Sequence, residues 1–373
     1  MRQRLSQPEV SYIIVTYHNA DTIVACLLSI AANTTMEYEI LVVDNSPDNE
    51  TALEVERFIR LHAEPAVTVI KTAENLGFGR ACNIGAGRAS GRFLFFLNPD
   101  TRLGNDASAL LANCFRRYPA AKAVGPAICD TGDRITRTCR NLPTLSRIVL
   151  DATGLDQLFG AYKLRRFQHQ RARKVEQIIG AAMLVRRADY DDLGGMDERV
   201  FMYFEEVDLC KRLIEAGGEI WFWPEARVQH LAGVSAEAEP IRAQMIYVLR
   251  ESRRKYFEKH YGTASARWLE LINRFEGLQK SAILWMLWMI RGRRADREKA
   301  RGFWAVAMGW LRDPEIHCDG YWHGRQNKQS DRAVTGPEFL ALGQDSTHCV
   351  ARDSVGDFPR VRRIDWTRAM AAR

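Results

Sequence analysis

The chain has 373 residues, 46% hydrophobic and 27% charged, an ordinary globular composition with room for one large α/β domain and an appendage. Eight scattered cysteines without a CxxC pair suggest neither a disulfide framework nor a zinc ribbon, and several sit in apolar runs as buried thiols of a reducing compartment do. A net charge of +7 points to a polyanionic or membrane-surface partner, or only to a positive surface; the basic residues concentrate in Lys163–Lys174 and Arg242–Arg301.

Met1 to Val10 carries no apolar run of the signal-peptide kind. The β-branched run Val10 to Tyr17 predicts a first strand. Asp21 to Ala32 has helical apolar spacing. Glu39 to Asn45 predicts a second strand, Asp48 to His62 a helix, and Val67 to Lys71 a third strand. Phe78 to Ala89 reads as helix and Arg92 to Leu97 as a fourth strand. This alternation predicts a mostly parallel sheet flanked by helices, with ligands beyond the C-terminal strand ends. Those ends are Thr16–Tyr17, Asp44–Asn45 and Asn98–Pro99–Asp100. Asp106 to Tyr118 is a further helix, after which the pattern becomes less regular. Gly180 to Val185 and Glu219 to Trp223 predict strands, with a helix from Glu205 to Ala216 between them. Residues 241–312 read as a helical, basic segment and 313–373 as a polar tail, leaving 1–240 as the α/β domain. The longest apolar run, Ala282 to Ile290, is about half the roughly 20 residues that a spanning helix needs.

Gly85-Ala-Gly87-Arg-Ala-Ser-Gly91 imitates a dinucleotide fingerprint, but these glycines close a helix and lead into a strand. Phosphate binding requires the reverse order, so close helix–sheet packing and a C-cap are expected instead. Four other clusters carry chemistry. Thr16-Tyr17-His18-Asn19 with Asp44-Asn45-Ser46 can read a base and ribose, or only shape turns. Asn75, Gly77, Gly79, Arg80 and Asn83 combine close backbone approach at a helix start with a cation for a diphosphate. Asn98-Pro99-Asp100 puts a carboxylate past a buried strand, where it can serve a hard cation or cap a turn. Gly194 to Glu198, Phe201 to Leu209 and Val228 to Ser235 bring an acidic helix start and a histidine. Adjacent Glu205 and Glu206 invite one raised pKa, as a general base needs; the alternative is an acidic N-terminus answering the helix dipole.

Together, over about Pro8 to Gly262, these clusters resemble the family 2 glycosyltransferases, whose fold is GT-A, a Rossmann-like nucleotide-diphospho-sugar transferase fold. Leu97-Asn98-Pro99-Asp100 and Gly195-Met-Asp-Glu are similar to the rhamnosyltransferase branch, which uses dTDP-rhamnose and builds cell-wall and other polysaccharides on lipid carriers. The resemblance implies that Thr16, Tyr17, Asn19 and Asp44 hold the nucleoside, and that Asn75, Gly77, Arg80 and Asn83 line the donor pocket. It puts Asp100 at the last aspartate of the family's DxD metal motif, with Asn98 replacing the first, and His230 at a histidine that completes the Mg²⁺ or Mn²⁺ shell. Glu206 stands where the family has its aspartate base; Glu205 and Asp208 remain alternatives. The implied enzyme is a metal-dependent inverting transferase taking a nucleotide-sugar donor and a saccharide or lipid-linked acceptor. It would work at the cytoplasmic face of a membrane. The rival donors are UDP-galactofuranose and UDP-N-acetylglucosamine, and the rival function is a non-catalytic nucleotide-binding membrane adaptor. No nucleic-acid motif is present.

Leu269, Ile272, Phe275 and Leu278 recur at three-residue spacing, followed by Ile283 to Ile290 with Trp285 and Trp288, and then Arg291, Arg293, Arg294, Arg297 and Arg301. A basic amphipathic segment of this kind can lie on an anionic membrane. The alternative is that it packs on the catalytic domain or on a second subunit of a homo-oligomer.

Overall fold

A computed structural model of the chain describes residues 8–62, 66–164, 169–231 and 243–309. Ala232 to Ser235 of the fourth cluster, most of Met1 to Val10, and the 313–373 tail lie outside the described residues.

The first half alternates as its apolar runs require. β1 (Val10–Thr16), α1 (Ile23–Asn33), β2 (Tyr38–Asp44), α2 (Glu50–His62), β3 (Val67–Lys71), α3 (Phe78–Arg88) and β4 (Phe93–Leu97) follow in order. Every residue of β1 and β4 is buried, because helices cover both faces of the sheet. Tyr12, Ile14 and Phe95 face α1, α2 and α4 (Ala107–Arg117), whereas Ile13, Val15 and Phe96 face α3 and α8 (Glu205–Glu215). Each such side chain stabilises the fold by about 1.5–3 kcal/mol. Close packing of the glycines in and after α3 is as expected, since a Cβ on Gly85 would meet Ile13 at 2.7 Å and one on Gly91 would meet Ser11 at 2.6 Å, but the helix is capped by Ala89 and not by a glycine.

β5 (Thr101–Leu103), β6 (Ala121–Cys129), β7 (Arg173–Val175), β8 (Ala182–Arg186) and β9 (Glu219–His230) complete the sheet. The order is β3-β2-β1-β4-β8-β6-β9-β5, with β7 paired to β9. β1 to β4 are mutually parallel, as are β6 and β9; β8 pairs antiparallel with β4 and β6, and β5 and β7 antiparallel with β9. The sheet is therefore mixed beyond β4.

The short strands β5 and β7 are not expected from the sequence, and two longer strands also depart from it. β6, in the stretch that reads as irregular, is AKAVGPAIC, weak in β-propensity and interrupted by proline. Burial overrides that: a Cβ on Gly125 would meet Ile178 at 2.9 Å, and the β6–β9 register shifts between Pro126 and Ala127. β9 does not stop at Trp223 but passes Pro224 through that irregularity to His230.

Between β6 and β7 lie α5 (Leu145–Ala152) and α6 (Asp156–Phe159), and α7 (Arg187–Asp192) follows β8. α9 (Ala243–Arg291) is two helical arms broken at Gly262, whose φ of 82° only glycine adopts cheaply; α10 (Arg294–Ala307) packs along it. Tyr256 and Phe257 of the first arm join Ile148, Tyr162, Phe204 and Val207 in a third core that fastens α9 beside α8. No described helix is long and apolar enough to cross a membrane. Leu269, Ile272, Phe275 and Leu278 do not form one face: Leu269 is buried, Ile272 half-buried, and Phe275 and Leu278 exposed. A three-residue step falls short of the 3.6-residue turn, so the series rotates around the helix. Trp285 and Trp288 are half-buried, edge to face at 5.3 Å, with Arg297 over Trp288.

Candidate active site

The parallel strands end in a polar crevice. Asp44, at the end of β2, is fully buried. Thr16 Oγ1 donates to its Oδ1 at 3.0 Å, Ser46 donates to the same oxygen through N and Oγ, and Lys71 Nζ reaches Oδ2 at 3.0 Å. The parallel register sets Asp44 beside Lys71, so this pairing follows from strand order. Lys71 also reaches the carbonyls of Ser46 and Asp48, knitting the loop after β2. Ser46 belongs to the first cluster of the sequence, whereas Lys71 has no motif of its own there; a lysine at a strand end opposite an acidic one is the signal that could have found it. Tyr17 N donates to Asn19 Oδ1, and His18, with φ of 53°, pairs with Asp48 at 2.6 Å. These contacts give the crevice floor its shape before any ligand arrives.

The glycine-rich loop closes one wall. Gly77 N donates to Asn75 Oδ1, Asn45 Nδ2 donates to Gly77 O, and Phe78 N donates to Phe201 O. Gly77 is required, since its φ is 83° and a Cβ would lie 2.3 Å from Phe201 O. Arg80 is exposed and 3.7 Å from Glu198. Asn83 is committed elsewhere: its Nδ2 donates to Met196 O and Glu198, and its Oδ1 accepts from Met196 N and the Tyr190 hydroxyl. It shapes the wall through the 195–198 loop.

Across the crevice, β9 delivers His230 opposite Thr101, and His230 Nε2 lies 3.1 Å from Asp100 Oδ1. Asn98 Nδ2 lies 3.4 Å from the same nitrogen. Both Asp100 and His230 are mostly buried. Among the described residues no group of three ionisable ligands forms. One carboxylate and one imidazole fit a divalent ion that takes most of its ligands from a diphosphate and water.

The acidic pair opens α8. Tyr203 and Phe204 precede it with φ of 69° and 72°, two consecutive bulky residues in the left-handed region, which is costly backbone of the kind found at functional sites. This turn parts the two carboxylates. Glu205 lies under α3, 5% exposed, with Oε2 unpartnered. Burial and the adjacent Glu206 push its pKa well above the ordinary carboxylate value. Glu206 is half-buried against Gly180, next to Ala181, whose carbonyl accepts Asn98 N. Burial raises its pKa too, opposed by its backbone hydrogen bonds and by Arg140. Glu205 has only its own backbone hydrogen bond as relief and no cation, and is the more strongly raised of the two. Asp208 is different: its Oδ1 meets Lys259 and His260 at 2.7 Å, and its Oδ2 meets Arg212 at 2.7 Å. Burial would raise its pKa, but these partners hold it below the usual value. Its Oδ1 fastens α9 to α8, and its Oδ2 is taken by Arg212 within α8.

A cavity of about 770 Å³ opens near Glu9, Gly91 and Arg187, at the N-terminal ends of β1 and β4, remote from all of these groups. Ligands of open α/β sheets bind at the other ends.

Comparison with known proteins gives the family. The profile of glycosyl transferase family 2 matches residues 11–194. The chain is 30% identical over 250 residues to N-acetylglucosaminyl-diphospho-decaprenol L-rhamnosyltransferase of Mycobacterium tuberculosis, spanning 61% of this chain and 78% of that one. It is 25% identical over 233 residues to rhamnosyltransferase WbbL of Escherichia coli, spanning 59% and 83%. Among solved structures, the mannosyltransferase PcManGT of Pyrobaculum calidifontis, in complex with GDP-Man and Mn²⁺, superposes with a TM-score of 0.51 at 15% identity, covering 82% of this chain and 87% of that one; this likeness concerns the GT-A fold alone. The crevice at the parallel strand ends, the carboxylates at α8 and these sequence relationships together mean that the chain belongs to the family 2 glycosyltransferases, in their rhamnosyltransferase-like group.

Proposed function

We propose that the protein transfers rhamnose from dTDP-rhamnose, with inversion, to a lipid-linked saccharide during cell-surface polysaccharide synthesis. The observation that carries the reaction type is the convergence of a half-buried glutamate and an Asp100–His230 pair on one crevice. The sugar and acceptor classes rest on the rhamnosyltransferase relatives, one of which is named for a diphospho-decaprenol acceptor.

In this reading Thr16, Tyr17, Asn19 and the Asp44–Lys71 network hold the nucleoside, and Asn75, Gly77, Arg80 and, through its loop, Asn83 bound the donor. Asp100 and His230, with Asn98 beside them, would hold Mg²⁺ or Mn²⁺, which when bound neutralises the departing nucleoside diphosphate. Glu206 takes the proton of the acceptor hydroxyl as that oxygen attacks the anomeric carbon, and the bond to the diphosphate breaks on the opposite side. Glu205 keeps its proton and so adds no second charge to the pocket. No acid is required, because the nucleoside diphosphate leaves as an anion.

A thermal-shift panel tests the donor. We expect dTDP with Mn²⁺ to stabilise the protein more than UDP or GDP, followed by turnover of dTDP-rhamnose. Stabilisation by UDP with no response to dTDP would replace rhamnose with a UDP-sugar reading.

A lipid-linked acceptor calls for membrane contact, and the second arm of α9 supplies a surface. Ile283, Met286, Met289 and Ile290 are exposed beside exposed Arg291, Arg293 and Arg294. Peripheral, salt-sensitive binding to anionic vesicles is expected. The exposed methionines, rather than the half-buried tryptophans, are the residues to change: Met286→Asp with Met289→Asp should abolish flotation at low salt. Unchanged flotation of that double variant would exclude this arm as the anchor.

A further inference from the structure

The stretch between β6 and β7 carries a surface that the transfer reaction does not use. α5 is apolar on more than one side: Ile148 and Ala152 are buried, whereas Val149 is exposed. After the turn at Thr153-Gly154 come Leu155 and α6, and here Leu158 and Phe159 are 66% and 69% exposed, with Leu155 exposed beside them. These side chains do not belong to a frayed end. Asp156 is 1% exposed; its Oδ1 accepts Tyr162 N at 2.7 Å and its Oδ2 accepts Lys163 N at 3.2 Å. Gly160, with φ of 59°, closes the turn by donating its N–H to Asp156 O at 2.8 Å. The segment turns its polar groups inward and its leucines and phenylalanine to solvent, the reverse of an ordinary surface turn. A contiguous apolar tip held this firmly marks a contact surface.

The charge around this tip has one sign. The basic run Lys163 to Lys174 begins three residues after Gly160 and contains six lysines and arginines and no acid. Lys163 pairs with Asp151 at 2.6 Å and Lys174 with Glu219 at 3.0 Å, whereas Arg171 and Arg173 are exposed; Arg165 and Arg166 lie outside the described residues. The acids of the tip do not oppose the run, because Asp156 is buried under backbone amides and Asp151 is taken by Lys163. The tip also shares a root with the second arm of α9. Ile148 of α5 lies in one core with Ala266 and Leu269 of that arm, and the Tyr261 hydroxyl, just before the bend at Gly262, donates to Pro143 O at 3.1 Å. Tyr162, which follows α6, belongs to the same core as Phe204 and Val207, the turn and helix that carry Glu206.

We propose that the α5–α6 tip, with Leu155, Leu158 and Phe159 at its end and the Lys163–Lys174 run behind it, docks the catalytic domain on an anionic lipid bilayer, as a second contact beside the α9 arm. Four exposed apolar residues are far fewer than the roughly 20–30 residues a side of a stable protein interface. A bilayer needs only a few inserted apolar side chains next to cations that meet its headgroups. Two weak contacts on one rigid body bind much more strongly than either alone, because the second forms at high effective concentration. This docking shares with the proposed function the reading that the protein works at a membrane, and nothing of its reading of sugar, base or metal.

Partitioning of the full chain is measured at low salt, without donor or acceptor, on vesicles of about 30% phosphatidylglycerol in phosphatidylcholine and on phosphatidylcholine alone. Wild type should bind the anionic vesicles about tenfold or more tightly than the neutral ones. Leu158→Asp with Phe159→Asp should weaken anionic binding by about tenfold or more, with the thermal melting transition unchanged because both side chains are exposed. Leu158→Ser with Phe159→Ser, which adds no charge, should show a smaller loss in the same direction and serves if the aspartate variant does not fold. Tip variants that bind like wild type, or wild-type binding that is equal on both vesicles, overturn the proposal. A wild-type dimer in light scattering that dissociates in the tip variants gives the surface to a second copy of the chain and overturns it too. Met286→Asp with Met289→Asp is run beside them. If the tip variants lose binding while that variant floats like wild type, the α9 arm is excluded and the tip stands; if only that variant loses binding, the arm stands and the tip is excluded.

Discussion

Glu206→Gln should lower turnover by about 10²-fold or more with donor affinity nearly intact. The amide keeps the shape of the side chain against Gly180 but cannot accept the proton of the attacking hydroxyl. The same residue sets a pH dependence. Its pKa is raised by burial, so the base gains its proton as pH falls through a value above the ordinary carboxylate range. The acid limb of kcat/KM should accordingly lie above that of an exposed glutamate, and activity should be complete on its alkaline side. Arg140 opposes the rise, so Arg140→Gln should move the limb further up in pH. Glu205→Gln is the control: its pKa is raised well above the ordinary carboxylate value, so Glu205 is neutral where Glu206 works, and a neutral amide there should leave both the limb and turnover nearly unchanged. A large loss in Glu205→Gln with none in Glu206→Gln would exchange the two roles.

Asp100→Ala should abolish transfer in a protein that remains folded. Its carboxylate is one of two ionisable groups meeting at the end of the crevice, and the loop carrying it is held by backbone contacts, Leu231 N to Asp100 O and Thr101 N to Asn98 O, that the substitution leaves in place. Chelation should remove activity in wild type, and Mg²⁺ or Mn²⁺ should restore it. Because Asn98 stands where a second carboxylate would add charge, binding of the ion should depend strongly on the diphosphate. Thermal shifts with Mn²⁺ alone, the diphosphate alone and both together measure that dependence. Undiminished turnover in excess chelator would remove the metal from the mechanism.

Sequence alone determined the parallel half of the fold and the end of the sheet where chemistry gathers. Runs such as VSYIIVT and FLFFL are local patterns, and β-branched or aromatic residues buried on both faces have few other places to go. The glycines after α3 were equally legible, because their order relative to helix and strand is a linear fact. What the linear pattern lacked was partners. β6 is a central strand with the composition of a loop, made so by β8 and β9 on either side and by Ile178 packed against Gly125. Glu205, Glu206 and Asp208 look alike within four residues, yet tertiary contacts separate them: one under α3, one against Gly180, and one bound to Lys259 and His260 some fifty residues along the chain. Periodicity is written in nearest neighbours, whereas burial, charge and pKa are set by groups that only folding brings together, and so the sequence located the site and the tertiary structure distributed the roles within it.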